Sequence, residues 1–396
     1  MRLRILWVLS VDPTRPPDGQ VTYSLALIRA VAAAGVDVTV VHLGSRAPSE
    51  PDDSNVVWRP AASANRNRIA SVVSPLPAMA FTAGSPAFRA ALLAELGRPW
   101  DAVVVDHVQS GWAMKQLAAR IDPATMLVHV SHNDERAVRG NVAAGTSTNL
   151  ASRLVLELDA RKVGALEDRI LRRADLVTTI TDADASSFAA RRSGLNTLVL
   201  APGYAGTRVE VREITAAVPR RAVIAGSMLW RVKQFDLLAL LRVADPRFAA
   251  EGAEIVVIGE APPDFAAEVR SFTTATKLVG RVDSFEDAFA QARLALVSEP
   301  HGGGFKLKTL DYVFHRVPML VQAGSVSGLP LRDRQGMLEF SGLEALVDGA
   351  IGVLDDIETL NRLQNEAFAQ CEAAFAWSQR GAQLRDAITA ARGGRT

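Results

Sequence analysis

The chain has 396 residues, 48% apolar and 22% charged, with a formal net charge of +1 at pH 7. That length exceeds one ordinary core and predicts two domains, and the balanced charge gives no global field to draw in nucleic acid, so no such partner is expected. The single cysteine, Cys371, excludes an internal disulfide and a cysteine-rich metal site and suits a reducing compartment, and the six histidines show no metal-binding spacing, so no metal is expected.

The N-terminus, MRLRILWVLSVDP, is basic and then apolar. Its apolar core covers only Ile5 to Leu9, shorter than a secretory core, and Pro13, Pro16 and Pro17 follow it. It reads as a first strand over 3–9. Residues 21–35 have helical spacing and end at Gly35, a natural cap. A second strand over 36–43 completes a βαβ unit, the building block of a parallel sheet. Further strands of that sheet are expected at 101–107, 125–132 and 175–181. Residues 201–219 carry Pro and Gly punctuation without a sustained period and read as an interdomain linker. The α/β rhythm then restarts, with strands expected at 220–227, 253–259, 276–282, 293–299 and 318–323. The fold class is therefore α/β, with two doubly wound, Rossmann-like domains over 1–200 and 220–375 facing across a cleft. Ligands in such sheets bind beyond the carboxyl ends of the strands. No run approaches the roughly 20 apolar residues that span a bilayer, so a cytoplasmic protein is expected. Arginine-rich amphipathic helices in the first domain leave open a peripheral contact with anionic lipid at the inner membrane face.

The stretch HGGGFKLKTLDY, 301–312, follows the strand that ends at Glu299. Gly302, Gly303 and Gly304 let backbone N–H groups approach a ligand, and a helix is expected to begin near Lys306. Its N-terminal end, with Lys306 and Lys308, suits a phosphate or diphosphate. Leu307, Leu310 and Phe314 share one face and should pack on the sheet, whereas Lys308, Asp311 and His315 share another. Asp311 repels phosphate but can accept hydrogen bonds from sugar hydroxyls, so donors for a diphosphate and an acceptor for ribose come together. A glycine-rich surface turn with a solvated helix face is the alternative. GxxxxGK[ST] is absent, and the first strand lacks GxGxxG, which argues against a P-loop and against dinucleotide oxidoreductases.

GGGFKLKTLDYVFHRVP resembles the donor motif of retaining glycosyltransferases with the GT-B fold, specifically glycosyltransferase family 4. Lys308, Asp311 and Pro318 match that motif. The family places Glu where Asp311 stands, holding the ribose hydroxyls. It places a second Glu, toward the donor sugar, where Gly303 stands, so that contact would pass to the glycine loop with Phe305 or to Glu299. Gly19 matches the glycine that approaches the donor phosphates. VSHNDERAVRGN resembles a His-Asn-x-Glu segment through His132, Asn133 and Glu135. IAGSMLWRVKQFDLL resembles the turn opening the second domain, and Gly226, Ser227, Arg231 and Lys233 are its phosphate-binding candidates. FAWSQRGAQL resembles the last helix, which places 376–396 back on the first domain.

The resemblance implies transfer of a sugar from a nucleotide-diphosphate sugar to an acceptor hydroxyl, with retention, without metal and with no cofactor beyond that donor substrate. The acceptor is a saccharide, a lipid-linked saccharide or a small molecule, in glycan, polysaccharide or glycoconjugate biosynthesis. His132, Lys308 and Lys233 are the catalytic candidates, and His132 would contact the donor sugar or the departing phosphate. Asp106 and His107 either line the acceptor site with Asn133, Glu135 and Arg136, or form a polar pair at a strand end. The competing readings are a nucleotide-sugar 2-epimerase and a non-catalytic protein that binds nucleotide sugars. The departures at Gly303 and Asp311 motivate the second of these.

Overall fold

The computed structural model describes residues 2–15, 18–48, 55–62, 68–145, 150–300 and 304–394. It divides into two units, Met1–Gly203 with Ala376–Thr396, and Tyr204–Phe375.

The first unit is built on seven parallel strands: β1 (Arg4–Leu9), β2 (Asp37–Leu43), β3 (Val56–Ala61), β4 (Ala102–Asp106), β5 (Met126–Val130), β6 (Leu176–Thr179) and β7 (Thr197–Val199). Their order across the sheet is β3-β2-β1-β4-β5-β6-β7. The central strands are continuous apolar runs because helices cover both faces of a parallel sheet. AVVVD of β4 and MLVHV of β5 are buried at every position. Leu6 and Val8 of β1 pack with Phe88, Leu92, Trp112, Leu166 and Ile170 in one core cluster. Register aligns Leu9 with Asp106 and Asp106 with Val130, so three strands end side by side. The direction of winding reverses between β1 and β4, the position where such sheets open a crevice.

Asp18 caps the first helix, Gly19–Ala33, by accepting from the Val21 N–H at 2.9 Å. The last helix, Trp377–Gly393, packs along it. A methyl group at Gly381 would lie 2.0 Å from the Ala30 carbonyl oxygen, so this approach requires glycine. Arg380 and Arg385 donate to the Ala201 and Ala34 carbonyls at 2.7 and 2.9 Å and tie the helix down.

The second unit repeats the plan with β8 (Arg221–Ala225), β9 (Glu254–Ile258), β10 (Thr276–Gly280), β11 (Leu294–Val297), β12 (Met319–Gln322), β13 (Arg332–Asp333) and β14 (Gly336–Phe340). Their order is β10-β9-β8-β11-β12-β14-β13, and the winding reverses between β8 and β11. Leu237, Leu240, Leu241, Ala244 and Phe248 of the helix Arg231–Ala250 form its core with Ile255, Val257 and Leu296. Two doubly wound α/β sheets are what the apolar rhythm predicts. Most of the expected linker groups with the second unit, because Ile214 is fully buried in that core. Asn361 brackets Ile214, accepting from its N–H at 2.9 Å and donating to its carbonyl at 2.8 Å.

Candidate functional site

In the second unit, Gly226 directly follows β8 and Glu299 lies two residues beyond β11, so the winding reversal sets them side by side. Glu299 is buried and forms an ion pair with Lys308, the first residue of the helix Lys308–Phe314. A methyl group at Gly226 would lie 3.8 Å from Lys308 Nζ and 3.9 Å from Lys233 Nζ, so both ammonium groups reach this turn. Lys306 is buried beside them.

The charges explain one another. Burial works against the Glu299 carboxylate, yet the fields of Lys308, Lys233 and Lys306 hold it down at about 2. Burial pushes Lys306 down to about 8, against the fields of Glu299 and Asp236. Burial also pushes Lys233 down, opposed by Glu299. Three ammonium groups, those of Lys233, Lys306 and Lys308, thus gather around Glu299 in a buried setting. An anion there meets a stronger field than water would allow.

Spacing alone left Arg231 and Lys233 as equal candidates for the cation after Gly226. Arg231 is exposed, and Lys233 is the one turned toward Glu299 and Lys308. Ser227 is exposed, its Oγ accepting from the Leu229 N–H at 3.4 Å. Gly304 takes φ +74, and Phe305 is half-buried with its ring 5.9 Å from that of Phe375. Gly302 and Gly303 lie outside the described residues. The helix is a single short stretch of seven residues, so the positive charge comes from the lysines rather than from its end. Leu310 and Phe314 pack inward as their spacing predicts. Asp311 is three residues beyond Lys308, and the Tyr204 hydroxyl donates to its Oδ1 at 3.1 Å. Burial raises the Asp311 carboxyl to about 6 despite that bond.

The first unit brings its polar residues together differently. Asp106 is buried at the end of β4 and accepts from Trp7 Nε1 at 2.8 Å, Ser24 Oγ at 3.1 Å and His132 Nε2 at 2.8 Å. A carboxylate only accepts, so His132 carries its hydrogen on Nε2. Among the described residues no hydrogen bond reaches His132 Nδ1. Asp106 orients His132.

His107 uses both ring nitrogens, Nδ1 accepting from the Gln109 N–H at 3.2 Å and Nε2 donating to Glu135 Oε1 at 3.1 Å. Its φ of +61 is a conformation that costs a non-glycine residue about 1–3 kcal/mol, so these bonds hold it against strain. Glu135 also accepts from Asn133 Nδ2 at 3.2 Å and Arg139 Nε at 3.3 Å. Burial would raise its carboxyl, but His107 and Arg139 bring it down to about 2. Arg136 is exposed and pairs with Asp168 at 3.2 Å. Asp106, His107 and Glu135 are therefore each bonded to other side chains of this unit. Gly19 is exposed at the start of the first helix.

Sequence reasoning missed Tyr204, Trp7, Ser24 and Asp236. Tyr204 lies in the segment read as a linker. Trp7 and Ser24 reach Asp106 across 99 and 82 residues of chain, which no local spacing reveals.

Residues 18–193 match the family described as Glycosyl transferase 4-like domain. Compared with curated proteins by sequence, the chain matches none. Among solved structures it is similar to a sucrose-phosphate synthase from Thermosynechococcus elongatus, with a TM-score of 0.73 at 18% identity over 99% of this chain and 100% of the other. HepE from Anabaena, in complex with UDP and glucose, gives 0.65 at 13% identity over 98% and 100%. WaaG, a glycosyltransferase involved in lipopolysaccharide biosynthesis, gives 0.62 at 13% identity over 97% and 99%. At these identities the likeness shows the fold, which is GT-B.

Proposed function

We propose that the protein is a glycosyltransferase that moves a sugar from a nucleoside-diphosphate donor to an acceptor hydroxyl. The observation that carries this reading is the buried group of Lys233, Lys306 and Lys308 around Glu299 at the Gly226 turn. It sits where the winding of the second sheet reverses, beyond the carboxyl ends of β8 and β11. The HepE structure, with UDP and glucose, lends support to this donor class.

The step is an attack of the acceptor oxygen on the anomeric carbon as its bond to the diphosphate breaks. The acceptor proton passes to the departing diphosphate. Charge develops on that diphosphate, so ammonium groups already fixed there lower the barrier as well as bind. They supply the neutralising charge from the chain itself, and the reading adds no metal. Retention follows from the family resemblance. In the first unit, His132 Nδ1 is the group offered to a substrate, with Asp106 setting which nitrogen is free.

The test is a thermal-shift panel of nucleoside diphosphates and their sugars, followed by donor hydrolysis and transfer with purified protein. A donor-site ligand stabilises the folded state by about 2.7 kcal/mol at a hundred times its Kd. Stabilisation by one nucleoside diphosphate, with release of that diphosphate from its sugar, supports the reading. No stabilisation by any member overturns it. Stabilisation without hydrolysis or transfer favours a non-catalytic binder.

A further inference from the structure

We infer that Glu299 sets which charge state of the ligand this site holds: its carboxylate, fixed among the lysines, loosens the grip on a free diphosphate more than on a diphosphate still joined to a sugar. The inference rests on the reading of the second unit as a nucleoside-diphosphate site.

Glu299 is buried, and its carboxylate is paired with Lys308. The backbone that carries it is clamped. Its N–H donates to Ser325 Oγ at 2.9 Å, and Ser325 is itself buried. Ser298, the residue before, donates from Oγ to Gln322 Oε1 at 2.7 Å. The carboxyl end of β11 is thus tied to the end of β12 beside it. Lys308 is held from the other side. A methyl group at Gly226 would lie 3.7 Å from Lys308 Cδ, so the lysine stem lies along that turn. One helical turn further on, the Tyr312 hydroxyl accepts from the Ala225 N–H at 2.6 Å and fixes the same helix to the end of β8. Carboxylate and ammonium therefore meet between two anchored stretches of backbone.

A carboxylate is not needed to bind an anion, and it repels one. What it adds is a dependence on the charge of the ligand. Repulsion between a fixed charge and a ligand grows with the ligand's charge, and burial keeps it from being screened. A nucleoside diphosphate at neutral pH carries one more negative charge than its sugar diester, because the link to the sugar takes up one ionisable oxygen. The donor enters as the diester, and the product leaves as the free diphosphate. The lysines attract both, and attract the product more. Glu299 offsets part of that excess, so the site releases its own product.

The test measures calorimetric affinities for UDP, GDP and ADP, in EDTA and at about pH 7.5, where a terminal phosphate is nearly fully ionised. It then compares the tightest binder with its β-methyl ester, which lacks the same charge as the sugar diester but carries no sugar. Glu299→Gln keeps an acceptor for Lys308 and removes the charge. It should tighten the free diphosphate more than the ester and shift their affinity ratio by about fivefold or more, the scale of two unit charges about 4 Å apart even in bulk water. Glu299→Ala removes the same charge and should shift the ratio the same way, so either folded variant tests the inference. Glu299→Asp keeps the charge and should leave the ratio within about twofold of wild type. An unchanged ratio in folded Glu299→Gln or Glu299→Ala, or an equal shift in Glu299→Asp, would overturn the inference and leave Glu299 as a residue that only holds Lys308. Binding of none of the three diphosphates to wild type contradicts the donor reading itself, a different outcome from an unchanged ratio.

Discussion

The two units place polar clusters at the same point of the same topology, yet their bonding is opposite. In the first, Asp106 takes three donors and Glu135 three more. In the second, the ammonium groups of Lys233, Lys306 and Lys308 gather around the buried Glu299 carboxylate, where burial keeps their fields from being screened. A saturated cluster holds a side chain in place. A desolvated group of like charges presents a strong field to an incoming anion. The first unit should therefore answer substitution with lost stability, and the second with lost binding.

The largest effect is expected at Asp106. Asp106→Ala leaves three buried donors without their acceptor and should cost about 3–5 kcal/mol of stability. Denaturant unfolding measures this. Nucleoside-diphosphate affinity should not change, and a loss of affinity with unchanged stability would erase the contrast between the units.

An intermediate effect is expected from pH. Lys306 is pushed down by burial to about 8 and should return toward its usual value beside a bound diphosphate. Between about pH 8 and pH 10 binding then takes up a proton, and affinity falls as pH rises through that window. The same depressed lysine makes the unfolded chain bind more protons there, so its contribution to stability rises with pH over the window. Calorimetry in buffers of different ionisation enthalpy reads the proton directly. Release of a proton, or none, would show that Lys306 does not face the anion.

The smallest effect separates two neighbours. Lys233→Ala should weaken a nucleoside diphosphate by about 1.5 kcal/mol, and Arg231→Ala, an exposed position, by no more than about 0.5 kcal/mol. The reverse order would return the phosphate contact to Arg231.

How far the sequence carries this contrast depends on range. β1, β4 and β5 are legible because both faces of a central parallel strand must be apolar. β3, with Pro60 and half-exposed alternation, and the three-residue β7 escape because edge strands carry little of that signal. β14, GMLEF, escapes because it is short and follows a two-residue strand. In the second unit, the motif around Lys308 and Asp311 is local, and helical spacing suffices to place Leu310 and Phe314 inward. Lys233 could not be told from Arg231 because both lie within the first turn of one helix, and burial alone separates them. In the first unit, Asp106 and His107 were open between an acceptor wall and a strand-end pair. The partners that the two residues find, Trp7, Ser24 and Glu135, come from three separate segments. Tyr204 was hidden by its setting, since Pro202 and Gly203 mark a loop and say nothing of what the next side chain touches.

The central claim is that the second unit is an anion site built by its lysines, and Lys308 tests it most directly. Lys308→Ala removes the cation paired with Glu299 but leaves Lys233 and Lys306 beside that carboxylate. Calorimetric titration of wild type and Lys308→Ala with UDP, GDP and ADP should show affinity for at least one in wild type. The variant should lose about 1.5–3 kcal/mol of it, roughly ten- to a hundredfold. Unchanged affinity in Lys308→Ala would contradict the account.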